Sequence, residues 1–172
     1  MPSLKRWTTA DSVELYNIKG WGLGYYSVNA KGHMTAHPSQ DPDVSIDLRE
    51  LIDDAQEKGL NLPLLIRFSD ILGDRLGHLR RSFQQAIRDA NYEGQYLGVY
   101  PIKVNQQRQV VEEVVRYGSQ SGFGLEAGSK SELHAVLATL ESPDSIIICN
   151  GYKDAAYIRL ALLGQRLGKK IY

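Results

Sequence analysis

With 172 residues, 42% of them hydrophobic, the chain can bury one sizeable core, and its composition excludes a disordered or fibrous protein. Its 20 basic and 20 acidic side chains balance without a block of like charge, which leaves no electrostatic footprint for nucleic acid or an anionic membrane and points to a small-molecule partner. Cys149 is the sole cysteine, so an internal disulfide is excluded; in the apolar run Ser145 to Cys149 it reads as a buried strand thiol in a reducing, cytoplasmic setting.

Met1 to Trp7 has two basic residues with no apolar segment behind them, and no run approaches the ~20 residues of a membrane helix. Trp21 to His37 reads as a β-hairpin, with Asn29-Ala30-Lys31-Gly32 as its turn. The spaced glycines of G-W-G-L-G have no helix pattern after them, so a dinucleotide loop is set aside. His33 and His37 share one strand face, where a solvated hairpin explains them better than a metal site. His78 and His134 fall in helical patterns. No residue of the chain is read as a metal ligand.

His37 to Val44 is a linker containing Pro38 and Pro42, and Asp47-Leu48-Arg49-Glu50 opens a helix that runs to Lys58. Leu62 to Phe68 reads as a strand. Ser69 or Asp70 caps an amphipathic helix to Asn91, with Ile71, Leu72, Leu76, Leu79, Phe83 and Ile87 at helical spacing. The order then becomes regular: strand Tyr96 to Ile102, helix Gln106 to Tyr117, strand Phe123 to Glu126, helix Lys130 to Leu140, strand Ser145 to Cys149, helix Asp154 to Leu167, and a strand from Lys169. Such alternation means parallel strands with helical crossovers. The expected organisation is a segment of β domain with a linker helix over 1–68 and an incomplete (β/α) barrel over 69–172.

Alternation carried from Tyr96 to Val104 puts Leu97, Val99, Pro101 and Lys103 on one face and Tyr96, Gly98, Tyr100 and Ile102 on the other. With helices outside, the Lys103 amine points into a barrel mouth or crevice at a strand's C-terminal end, where catalytic groups of such folds sit. Partly desolvated there, it becomes a nucleophile. Position alone also allows a solvated or snorkelling lysine.

The segment Y-P-I-K-V-N-Q-Q-R-Q-V-V-E-E, Tyr100 to Glu113, resembles the cofactor-lysine segment of biosynthetic arginine decarboxylases, pyridoxal phosphate (PLP) enzymes with an alanine racemase-like barrel. W-G-L-G-Y-Y-S-V-N from Trp21, L-I-R-F-S-D-I-L from Leu65, G-L-E-A-G-S-K-S-E-L from Gly124 and I-C-N-G-Y-K-D from Ile148 resemble that family in the same order. Together they span nearly the whole chain. The first and last of them favour arginine decarboxylase over the ornithine and diaminopimelate enzymes.

The resemblance implies that Lys103 holds PLP as a Schiff base and acts in converting L-arginine to agmatine and CO2, a step of putrescine and spermidine biosynthesis. It implies that Glu126 matches an acidic cofactor-site position, that Mg2+ is a second cofactor, and that the full-length enzyme is a homo-oligomer. Gly128 to Glu132 also match, but helix capping explains Ser129 and Glu132 without a ligand. Asn150 and Gly151 lie at the active face by topology, while Arg67, Lys153 and Asp154 stay unassigned. A (β/α)8 barrel needs roughly 250 residues. The chain is therefore expected to be the N-terminal part of a longer enzyme, with barrel strands one to three and the start of a fourth. The family's ring-stacking histidine, glycine-rich phosphate loop and pyridine-nitrogen acid would come later, so the chain alone is expected to be inactive and prone to associate. The alternatives are a non-catalytic PLP-binding or regulatory protein and an interaction module on a truncated barrel.

Overall fold

A computed structural model describes residues 6–41, 43–119 and 122–172. The readings of Met1 to Lys5 and of Pro42 lie outside these residues. The chain divides into two compact units, Met1–Ile71 and Leu72–Tyr172.

The first unit opens with α1 (Thr9–Leu15) and the short α2 (Ile18–Gly22). Thr8 and Asp11 cap α1 reciprocally: the Thr8 hydroxyl accepts from the Asp11 N–H, and the Asp11 carboxylate accepts from the Thr8 N–H at 2.8 Å. The glycine-rich stretch is thus partly helical, and the hairpin starts later than its sequence suggests. Its strands are β1 (Tyr26–Val28) and β2 (Met34–Ala36), and β3 (Ile46–Asp47) adds to β2 to complete an antiparallel sheet ordered β1-β2-β3. The Asn29 side-chain carbonyl fixes the turn by accepting from the Lys31 and His33 N–H groups.

The expectation of a solvated hairpin fails at His37, which is 9% exposed. Its Nδ1 donates to the Val44 carbonyl at 3.1 Å, which leaves Nε2 to accept from the Ser27 hydroxyl at 2.7 Å. Val44, the last of the residues read as a linker, supplies the carbonyl that satisfies Nδ1.

Asp47 ends the sheet and starts α3 (Leu48–Glu57), accepting from the Arg49 and Glu50 N–H groups as N-cap. It also pairs with His33 at 2.9 Å and accepts from Asn29. Burial works against its charge, but the hydrogen bonds from His33, the Glu50 N–H, Asn29 and the Arg49 N–H outweigh it and hold the carboxyl at about 2. A carboxyl lowered in the folded state stabilises above its unfolded value, and that stability drains as pH falls from 3.8 through about 2. Acid titration of unfolding in the first unit, followed by the fluorescence of Trp7 and Trp21, should show this loss, and Asp47→Asn should remove it. A mutant with the wild-type acid profile would contradict it.

Leu62 to Phe68 is not a strand. Among the described residues the segment has no β pairing, and Leu65 is 77% exposed. An apolar run with no neighbouring edge to bond cannot form a ladder.

The second unit contains most of α4 (Ser69–Asp89), β4 (Val99–Pro101), a single 3-10 turn (Ile102–Val104), α5 (Arg108–Gly118), β5 (Gly124–Ala127), α6 (Lys130–Thr139), β6 (Ile146–Cys149), α7 (Ala155–Arg166) and β7 (Lys170–Ile171). The four strands run parallel in the order β4-β5-β6-β7. Tyr100, Leu125, Ile147 and Ile171 stand in one register row and turn towards the helices, where Leu125 and Ile147 pack with Val114, Leu133, Val136 and Tyr157. Each fully buried side chain of this kind contributes about 1.5–3 kcal/mol. Pro101, Glu126 and Ile148 form the adjacent row, on the opposite face.

Candidate cofactor-lysine site

β4 is shorter than its alternating sequence. Pro101 has no N–H to offer a neighbour and begins the 3-10 turn with φ −73° and ψ 113°, so Lys103 sits on that turn and not on the strand. The strand-end placement expected for Lys103 is corrected accordingly. The turn nevertheless carries the amine over the face that bears Glu126. Lys103 Nζ lies 3.4 Å from Glu126 Oε1, with the lysine side chain 58% exposed and the glutamate 16% exposed.

Glu126 projects from the middle of β5, flanked on the helix-facing side by the fully buried Leu125 and Ala127. Its Oε1 is buried and lacks a hydrogen-bonding partner among the described residues, the lysine contact being an ion pair without hydrogen-bond geometry. A buried acceptor left open beside an accessible amine is unusual in a purely structural pair. An aldehyde cofactor fits these two groups: the amine can bond to its carbonyl carbon, and the carboxylate can hold the proton that such a reaction moves.

Several of the other residues singled out from the sequence have structural work. Ser129 caps α6 by accepting from the Glu132 N–H, as its spacing suggests, but the Glu132 carboxylate takes the Gly128 N–H at 2.6 Å and not that of Ser129. Asp154 caps α7 and pairs with Lys130 at 2.5 Å; that lysine hydrogen bond, with the cap, lowers the Asp154 carboxyl below its usual value. Lys153 donates to the Gly151 carbonyl at 3.0 Å. Asn150 accepts from the Gly151 N–H through its side chain. Arg67 belongs to the first unit. Cys149, expected buried, is partly exposed at the end of β6. His134 bonds the Lys130 carbonyl on the surface of α6. Among the described residues no three His, Cys, Asp or Glu groups converge as metal ligands, and no helix is long and apolar enough to cross a membrane.

The model of the pyridoxal-dependent decarboxylase family, pyridoxal binding domain, matches residues 76–166, more than half of the chain and the whole stretch from β4 to α7. The chain belongs to this family. Its second unit is accordingly the N-terminal part of a PLP-binding barrel, and the parallel sheet with helices on one face is that barrel's first portion. Among curated relatives, the biosynthetic arginine decarboxylase of Gloeobacter violaceus is 56% identical over 165 residues, which cover 96% of this chain and 26% of that protein. The same-named protein of Phocaeicola vulgatus is 50% identical over 169 residues, covering 98% and 27%. The crystal structure of the biosynthetic arginine decarboxylase of Campylobacter jejuni superposes with a TM-score of 0.83 at 28% identity, over 91% of this chain and 26% of that one. The chain spans about a quarter of the length of these relatives.

Sequence reading attaches no role to Tyr157. The only signal is a large aromatic with a polar tip following Asp154-Ala155-Ala156 in the first turn of a helix. Its phenol crosses to β5 and donates to the Ala127 carbonyl at 2.7 Å.

Proposed function

We propose that these residues are the N-terminal segment of an arginine decarboxylase, in which Lys103 carries PLP and the substrate L-arginine leaves as agmatine and CO2. The juxtaposition of Lys103 and Glu126 on the open face of the first barrel strands carries this reading, and the names of the relatives supply the substrate. Bound PLP supplies an electron sink for the pair released when the bond to the carboxylate breaks. Lys103 provides the amine that tethers the cofactor. Glu126 places a carboxylate next to that amine, where it can take up a proton from it, while Leu125 and Ala127 lock the strand that presents it. In this reading 1–68 is a segment of β domain with its linker helix, and 69–172 is the incomplete barrel.

The activity belongs to a larger assembly than these residues, so the segment alone is expected to be inactive. A polyamine-forming pathway, a cytoplasmic location, a homo-oligomeric full-length enzyme and Mg2+ as a second cofactor complete the proposal through the family resemblance. A chimera tests it, with residues 1–172 replacing the corresponding segment of the Gloeobacter violaceus relative. It should release agmatine and CO2 from arginine, and a folded chimera without that activity would refute the reading.

In the same chimera Glu126→Gln should lower kcat by about tenfold to a hundredfold, at or below the low end for proton-transfer groups. The pH profile should change with it, since the substitution removes a charge beside Lys103 and leaves the covalent chemistry available. A profile identical to wild type would return Glu126 to a structural role.

A further inference from the structure

The peptide group joining Ala127 to Gly128 is held at both ends by side chains. Its carbonyl accepts from the Tyr157 hydroxyl at 2.7 Å and from the Asn150 N–H at 2.9 Å, and its N–H donates to the Glu132 carboxylate at 2.6 Å. Backbone pairing within a parallel sheet ordinarily supplies one partner for each such group. Here two side chains from two different helices have been added where β5 ends, one residue beyond Glu126.

Tyr157 is 1% exposed and cannot exchange its partner for water. Its own N–H is fixed by the Asp154 cap at 2.8 Å, so the ring is anchored at both its backbone and its tip. Burial pushes the phenol well above its ordinary value, and the neighbouring Cys149 thiol and the Glu132 charge add to this, so Tyr157 remains a hydrogen-bond donor at any working pH. The packing of the ring alone would be satisfied by phenylalanine. What the hydroxyl adds is a fixed orientation for the Ala127 peptide, and with it for the preceding side chain.

We propose that Tyr157 is a positioning residue for the site: by clamping the Ala127 carbonyl, with Glu132 clamping the other end of the same peptide, it aims the Glu126 carboxylate at the Lys103 amine. The carboxylate needs such aiming because its Oε1 has no hydrogen bond of its own to hold it. This inference rests on the reading of Lys103 and Glu126 as the working pair.

The test uses the chimera freed of PLP, so that it does not depend on catalysis. Acetylation of Lys103 is measured by mass spectrometry as a ratio to acetylation of the exposed Lys58 of the first unit in the same molecule, for wild type, Tyr157→Phe, Glu126→Gln and the double variant. Removing or misdirecting the carboxylate frees the amine, so each single variant should raise the ratio by roughly two- to fivefold, the range spanned by exposed ion pairs. The double variant should match Glu126→Gln alone, because Tyr157 acts through Glu126. Glu132→Ala, which frees the other end of the peptide, should raise the ratio like Tyr157→Phe. A merely structural tyrosine would lower the melting temperature without moving the ratio. If Glu126→Gln changes the ratio while folded Tyr157→Phe does not, or if the two effects multiply, the positioning role is overturned and the site reading survives. If Glu126→Gln changes nothing, the working pair itself is wrong and the positioning role falls with it.

Discussion

Lys103→Ala in the chimera should abolish arginine decarboxylation, with a loss on the order of 10^4-fold or more, because the covalent tether to the cofactor is gone. The fold should persist. Lys103 is more than half exposed, and its single ion pair is worth at most about 1 kcal/mol, so thermal unfolding should shift little. Lys103→Arg separates charge from chemistry: it preserves the cation facing Glu126, yet a guanidinium that stays protonated cannot attack an aldehyde. Both variants should be inactive, and both should lose the visible absorption of bound PLP. Activity retained in Lys103→Arg would mean that Lys103 acts as a charge only, and activity retained in Lys103→Ala would remove it from the chemistry.

The second large effect is on folding. Gly151→Ala should destabilise the second unit by about 3 kcal/mol or more, for two reasons that add. Gly151 has φ +74°, a conformation in which a side chain costs about 1–3 kcal/mol. A Cβ there would also stand 2.4 Å from the Gly128 carbonyl oxygen, a backbone atom that cannot swing aside as a flexible side chain would. Gly168→Ala is the control, because that residue has φ +85° with nothing within 4 Å of the added carbon. It should cost only the conformational part, about 1 kcal/mol. Denaturant unfolding of both variants measures the difference, and equal costs would show that the contact with Gly128 carries no weight. Since Gly128 lies two residues after Glu126, the Gly151 variant should also disturb the site at temperatures where the unit is still folded.

Much of the second unit is legible in the amino-acid sequence alone. Apolar spacing marks α4, α5, α6 and α7 to within about two or three residues, and Asp47, Ser129 and Asp154 announce their helices because capping is a local affair between a side chain and N–H groups a few residues away. The parallel sheet follows from strand and helix alternation, which leaves few topologies open. Lys103 stands out because it occupies a polar position in an otherwise apolar pattern, whereas Glu126 is singled out only by the resemblance to the family.

Other features depend on partners distant in the chain. Leu62 to Phe68 has the composition of a strand but no edge to pair with, and strand formation is decided by the neighbour as much as by the segment. β4 stops at Pro101 where side-chain alternation alone would have continued it. His37 is buried with its ring held by partners up to ten residues away, the Val44 carbonyl taking its Nδ1 proton and the Ser27 hydroxyl meeting Nε2. Composition and periodicity therefore determined the class of fold, the order of elements in the second unit and the lysine that stands out from its apolar surroundings, while the carboxylate came from the family resemblance. The tertiary structure alone decided that these two meet at 3.4 Å, that one carboxylate oxygen is left without a hydrogen bond, and that Tyr157 reaches back 30 residues to hold the end of the strand that carries Glu126. Local sequence encodes torsional preference and burial, whereas a contact between side chains so far apart exists only once the strands and helices have packed.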